Sequence, residues 1–183
     1  ISKLLSLLEQ KKIIIDQNFE IRIKKNIPQG AGLGGGSMNA ASVLKYFVKK
    51  KIINISNKKI KEIAFKVGSD VPLGLEKKNS ILFKNGKIVT LDYKNNFYIL
   101  IVKPNIDCST KQIYAGVRKY SKSLYANKNK IFFKKNHLIN SNNDLEHVVF
   151  KKYPKIKNLK YFLSNLPNII FARMSGSGSA IVA

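Results

Sequence analysis

The chain is poor in the residues that build cross-links and metal centres. Among 183 residues there is one cysteine, Cys108, with two histidines and no tryptophan. A single cysteine cannot form an internal disulfide and suits a reducing compartment, so a cytoplasmic location is expected. One cysteine and two histidines leave too few ligands for a structural zinc site. No apolar run approaches the roughly 20 residues that a membrane-spanning helix needs. Ile1 to Lys12 puts apolar side chains ahead of basic ones and includes Glu9, the wrong layout for a secretory leader. Acidic residues are also scarce: 10 stand against 34 Lys and Arg, for a net charge of +24.

Such a charge invites a polyanion partner, but arginine is scarce as well. The basic residues are 31 Lys and only 3 Arg (Arg22, Arg118 and Arg173). Sequence-reading nucleic-acid proteins favour the guanidinium fork for bidentate contacts. Ile, Lys and Asn supply 74 residues, about two-fifths of the chain, and share A/T-rich codons, so genome composition explains much of the charge. The lysines run from Lys3 to Lys160 without gathering into a stripe. No specific nucleic-acid partner and no membrane partner is expected. A basic nucleic-acid-binding module remains the alternative from another functional class.

What is present reads as a folded α+β protein. Apolar residues make up 44%, enough for a real core. Ile1 to Lys11 is a predicted helix with Leu4, Leu5 and Leu8 on one face, and Phe19, Ile21 and Ile23 alternate like a half-buried strand. Ser37 is the expected cap of a helix to about Lys50, with Ala40, Ala41, Leu44, Phe47 and Val48 as its core stripe. Ser56 caps a second helix with Ile60, Ile63, Ala64 and Val67 inward. Ser80 to Leu91 reads as a hairpin turned by Asn85-Gly86. Further on, Phe97 to Val102 is a predicted buried strand, Ser109 to about Tyr120 a helix, Pro154 to Asn165 a helix and Ile169 to Ala172 a strand. Tyr125 to Asn142 is polar and ambiguous. The stretch Asp92 to Asn96 is the best candidate boundary, dividing residues 1–94 from 95–183. The chain starts at Ile and stops inside the apolar run Ala180 to Ala183, so a fragment is expected.

Three segments carry chemistry. The first is Pro28-Gln29-Gly30-Ala31-Gly32-Leu33-Gly34-Gly35-Gly36-Ser37-Met38, which holds five of the eleven glycines. Between a strand and a helix start, such a loop lets backbone N–H groups approach an anion, and the helix dipole helps. It is not a P-loop, because GxxxxGK followed by Ser or Thr is absent. Gly30, Gly32 and Gly35 do spell GxGxxG, but Ile52 to Asn57 offers no carboxylate for a dinucleotide ribose. The second segment is Gly68-Ser69-Asp70-Val71-Pro72. Asp70, in a tight turn rather than on a solvated face, could act as general base or merely bond local amides. The third is Met174-Ser175-Gly176-Ser177-Gly178-Ser179, an ordinary turn between strands, a brace for the first loop or a nucleotide contact.

In this order, with Asn143-Asp144-Leu145-Glu146 between, the segments resemble the GHMP kinases over about Ile21 to Ala183. The triple-glycine GLGGGS form followed by Asn39-Ala40-Ala41, with GSDVP, resembles the branch that phosphorylates a cytidyl-linked polyol in isoprenoid synthesis. The resemblance implies a two-domain α+β fold with a ribosomal protein S5-like N-terminal half. It implies ATP and Mg²⁺ as cofactors and a small-molecule cytidyl substrate phosphorylated on its 2-hydroxyl. Pro28 to Met38 would be the ATP loop and Asp70 the catalytic carboxylate. Thr110 and Tyr114 would line the cytidine pocket, with core packing the alternative for Tyr114. Ser175, Gly176, Ser177 and Gly178 would form the supporting loop. A GHMP kinase with another small alcohol substrate is the nearer alternative.

Two departures stand out. The family's second serine after the glycines is Met38 here, and a thioether donates no hydrogen bond. The family's N-terminal strand with a catalytic lysine, and a nearby Tyr-His pair, have no counterpart in this chain. An inactive fragment is therefore expected.

Overall fold

The computed structural model describes residues 1–83, 85–90, 98–122 and 139–183. The chain divides into two compact units, Ile1–Lys25 with Gly34–Tyr93, and Asn26–Leu33 with Lys94–Ala183. Helices and small antiparallel sheets make up both, an α+β architecture. The candidate boundary Asp92 to Asn96, Leu91, Phe97 and most of the ambiguous stretch Tyr125 to Asn142 lie outside the described residues.

In the first unit, helix α1 (Ser2–Gln10) buries Leu4 and Leu8, which lie one above the other because four residues are about one turn. Helix α2 (Gly35–Lys49) buries Ala40, Ala41, Leu44 and Phe47, and α3 (Asn57–Val67) buries Ile63 and Ala64. These side chains form one core with Ile14, Ile53 and Val71. The Ser56 hydroxyl caps α3, accepting from the Lys59 amide at 3.3 Å. A 3-10 helix (Val71–Leu75) follows α3. Strands β1 (Ser80–Leu82) and β2 (Ile88–Thr90) then pair antiparallel, Leu82 opposite Ile88. Gly86 takes φ of +79° in their turn, and Asn85 Oδ1 accepts from the Lys87 amide at 3.1 Å.

Two expectations for this unit need correction. Residues 17–26 form no strand, although Phe19, Ile21 and Ile23 alternate. Alternation sorts side chains to two faces, but a strand also needs a partner backbone. Phe19 is instead held by ring packing, 4.7 Å from the Phe47 centroid, and Ile23 is exposed. Helix α2 also begins earlier than Ser37. Gly34, left-handed at φ of +67°, is its N-cap, so Ser37 sits inside the first turn.

In the second unit, strands β3 (Ile101–Val102), β4 (Arg173–Met174) and β5 (Ile181–Val182) make an antiparallel sheet in the order β3-β5-β4. Helices α4 (Thr110–Ala115), α5 (Glu146–Lys152) and α6 (Pro154–Ser164) supply Ile113, Val149, Ile156 and Leu163 to its core. Cys108, Leu145, Met174 and Ile181 complete that core.

Three expectations shift here. Of the buried strand expected over Phe97 to Val102, only Ile101–Val102 is strand among the described residues, at the edge of the described sheet, and Ile99, Leu100 and Ile101 are exposed. Its Leu100 still exchanges two backbone hydrogen bonds with Ala183, at 2.8 and 2.9 Å. The strand expected over Ile169 to Ala172 occurs instead at Arg173–Met174, the residues that the turn sets opposite Val182 and Ile181. Helix α4 stops at Gly116 rather than near Tyr120. A Cβ there would lie 2.7 Å from Val148 Cγ1, so only glycine fits, and glycine is a poor helix former.

Candidate functional site

The glycine-rich segment passes from one unit to the other, and its halves sit in different surroundings. Residues up to Leu33 belong to the second unit. There Pro28, Gln29 and Gly30 are an exposed turn, while Ala31 is buried. The Gly30 carbonyl accepts from the Ser179 amide at 3.0 Å and the Cys108 amide at 3.4 Å; the Ala31 carbonyl accepts from the Ala180 amide at 3.1 Å. Ser175 Oγ donates to the Gly32 carbonyl at 3.0 Å. Gly32 has φ of +71°, and a Cβ on it would fall on the Ser175 carbonyl oxygen. In return, a Cβ on Gly176 would lie 2.9 Å from the Gly32 oxygen. The two loops are thus in backbone-to-backbone contact, closer than any side chain permits.

The second loop is anchored from behind. It is the turn of the β4–β5 hairpin, with the Gly178 amide bonded to the Ser175 carbonyl at 2.9 Å. The Ser179 hydroxyl donates to the Ile106 carbonyl, and Ser177 Oγ lies 2.9 Å from Thr110 Oγ1. Thr110 and Tyr114 both belong to α4, whose buried residue is Ile113. Tyr114 is 52% exposed. Cys108, just ahead of α4, is buried, and that burial, with Asp107 next to it, pushes its thiol above the ordinary range.

From Gly34 the segment belongs to the first unit. Gly34 caps α2 through its backbone alone, with no side-chain cap on the first amides from the N-cap residue itself. Met38 folds back onto the 3-10 helix that follows Asp70. A Cβ on Gly74 would lie 2.6 Å from Ala41 Cβ and 3.1 Å from Met38 Sδ. The thioether thus packs the Asp70 turn against the start of α2, in place of a hydroxyl's hydrogen bond. Asp70 ends that turn as N-cap of the 3-10 helix, with Ser69 Oγ donating to its Oδ1 at 3.2 Å. The carboxylate is exposed, which corrects the expectation that the turn would shield it from solvent. The side chains of this short turn spend their apolar surface on Val71 and Pro72, leaving Asp70 outward.

Sequence reasoning missed the residues that hold the second loop. Asn143 Nδ2 donates to the carbonyls of Met174 and Gly176 at 2.9 and 2.7 Å, and Glu146 Oε1 accepts from the Met174 amide at 2.8 Å. Lys160 Nζ pairs with Glu146 Oε2 at 2.6 Å. The Asn-Asp-Leu-Glu string marks the spot, but no spacing rule links it to residue 174. Among the described residues no group of three or more His, Cys, Asp and Glu could hold a metal ion, and no helix is long and apolar enough to cross a membrane.

Known proteins align with these features. Residues 1–76 match the model of the GHMP kinases N terminal domain, and residues 122–183 that of the GHMP kinases C terminal. A 4-diphosphocytidyl-2-C-methyl-D-erythritol kinase of Pelagibacter ubique is 49% identical over 100% of the chain, which covers 65% of that protein. The same-named kinase of Petrotoga mobilis is 38% identical over 90% of the chain and 67% of its own length. A crystal structure of 4-(cytidine 5'-diphospho)-2C-methyl-D-erythritol kinase superposes with a TM-score of 0.71 at 25% identity, covering 99% of this chain and 66% of that one. The chain thus spans about two-thirds of the length of the relatives it matches. Two family models along its length and a named kinase aligned from end to end lead to one conclusion: the chain belongs to the GHMP kinase family.

Proposed function

We propose that this chain belongs to an enzyme that transfers the γ-phosphoryl group of ATP to the 2-hydroxyl of 4-diphosphocytidyl-2-C-methyl-D-erythritol. The observation that carries the reading is Gly36. It lies in α2 without a left-handed φ, and outside its own helix backbone a Cβ there would meet nothing within 4 Å among the described residues. Neither packing nor backbone conformation demands glycine, yet glycine in a helix costs about 1 kcal/mol against alanine. Close approach of an anionic ligand to this helix start accounts for it. The names of the aligned relatives favour ATP and the cytidyl polyol as the ligands.

The roles follow from phosphoryl-transfer chemistry, which relies on alignment and charge stabilisation rather than covalent help. Pro28 to Met38 cradles the ATP phosphates through backbone amides. Asp70, exposed at the end of its turn, accepts the proton of the attacking hydroxyl. Tyr114 offers an exposed ring for stacking on the cytosine, and Thr110 beside it is the polar contact. Ser175, Gly176, Ser177 and Gly178 support the first loop. Mg²⁺ would enter with ATP as part of the substrate and lower the charge of its phosphates. The N-terminal, ATP-binding domain runs to about residue 94 and the C-terminal domain from residue 95, in a cytoplasmic enzyme.

The test is turnover of the full-length gene product with ATP, Mg²⁺ and the cytidyl substrate, beside Asp70→Asn. General-base loss should lower kcat about 100-fold or more. A wild type without cytidyl-dependent ADP release refutes the reaction, and a variant with near-normal kcat refutes the role of Asp70.

A further inference from the structure

We infer that Asn143 and Glu146, backed by Lys160, are positioning residues for the nucleotide loop, acting through the Met174–Ser179 hairpin. The inference rests on the kinase reading above for the identity of the ligand, but its geometry does not.

The side-chain amide of Asn143 has its orientation fixed from both ends. Its Nδ2 donates to two carbonyls of the hairpin, Met174 and Gly176, while its Oδ1 accepts from the Leu145 amide at 3.0 Å. Glu146, at the start of α5, takes the amide of the same Met174 on Oε1 and the Lys160 ammonium on Oε2. Its side chain is only 14% exposed, so the lysine serves to neutralise a largely buried carboxylate. Met174 is thereby held at both its N–H and its C=O, and Gly176 at its C=O. The residues between and beyond them grip the first loop: Ser175 through the Gly32 carbonyl, Ser179 through that of Gly30 and Ala180 through that of Ala31.

Every link in this relay is a directional hydrogen bond, and the two loops approach too closely for a side chain to fill a gap. A slackened hairpin therefore cannot be compensated by apolar packing. The amides of residues 29–33 would lose their fixed direction, and with it their advantage as a phosphate cradle. Asn143 and Glu146 stand behind the hairpin rather than on the first loop, so they are positioning residues and not ligands.

Asn143→Asp is the sharpest probe, because it keeps the shape and sets carboxylate oxygen against two carbonyl oxygens. Glu146→Gln is the milder one, keeping an acceptor for the Met174 amide and losing the ion pair. Hydrogen–deuterium exchange on the full-length protein reads the relay without any ligand. The amides of Cys108, Met174, Ser175, Gly178, Ser179 and Ala180 should exchange about tenfold faster or more in Asn143→Asp, and severalfold faster in Glu146→Gln, as expected when the hydrogen bonds they donate are weakened. The α1–α3 amides should not change. In turnover assays KM for ATP should rise by about the same factors, with KM for the cytidyl substrate unchanged. Unaltered exchange of the Cys108, Ser179 and Ala180 amides, which donate to the first loop, or equal rises in both KM values, overturns the inference. Should Asn143→Asp fail to fold, Glu146→Gln decides by the same two readouts. Faster exchange in the variants of a protein whose wild type proves inactive would leave the relay standing and remove only the kinase reading.

Discussion

Gly32 and Gly36 lie four residues apart in one glycine run, and their surroundings are opposite. At Gly32 the space is taken by the protein itself, since a Cβ would strike the Ser175 carbonyl and the backbone is left-handed. At Gly36 a Cβ would meet nothing within 4 Å beyond its own helix backbone among the described residues, and the backbone is helical. The first glycine is needed for the fold, whereas the second is a cost to the fold with no internal benefit. The run therefore combines two designs, a braced turn and an open helix start.

The comparison can be broken by substitution in the full-length protein, with urea unfolding as the measurement. Gly32→Ala should have the largest effect. Steric overlap with backbone that cannot retreat, added to a left-handed alanine, should cost about 3–5 kcal/mol. A loss under 1 kcal/mol would mean that the two loops are not in firm contact. Gly74→Ala comes next. Its Cβ would press on Ala41 Cβ, where only the flexible Met38 can yield, and a cost of roughly 1–3 kcal/mol is expected. Pairing it with Met38→Ser should not recover the loss if Ala41 is the obstacle.

Smaller effects concern charge. Burial, with Asp107 next, raises the Cys108 thiol above its ordinary value of 9.0. A group raised on folding contributes stability that is intact below the unfolded value and disappears as pH climbs through the folded one. Cys108 should therefore label more slowly than a small free thiol at pH 8, and only unfolding should bring the rates together. In the first unit Lys66, with Lys59, lowers Lys11, a repulsion among exposed ammonium groups. Lys66→Gln should raise Tm slightly in low salt, and the gain should vanish in high salt as the charges are screened.

The two units also differ in how much of them the sequence reveals. The first is organised by apolar side chains three and four apart, such as Leu4 and Leu8 or Ala40, Leu44 and Phe47, and such a pattern is local. The pattern fails at Phe19 to Ile23, where Phe19 packs on Phe47 but Ile23 is exposed and residues 17–26 form no strand, and at the cap, which is Gly34 rather than Ser37. The second unit is organised by contacts over long separations, Asn143 to Gly176 or Gly32 to Ser175. Motif strings mark those residues, yet no periodicity links a carbonyl at 174 to an amide at 143. The strand register there, at Arg173 rather than Ile169, is likewise decided by the hairpin and not by the apolar run.

Gly36→Ala tests the central claim most directly, with two readings from one variant. The account predicts opposite signs: stability rises by up to about 1 kcal/mol because alanine is the better helix former, while ADP affinity by titration calorimetry falls at least tenfold. A variant that gains stability and binds ADP as tightly as the wild type would contradict it, because the open helix start would then not be where the phosphates lie.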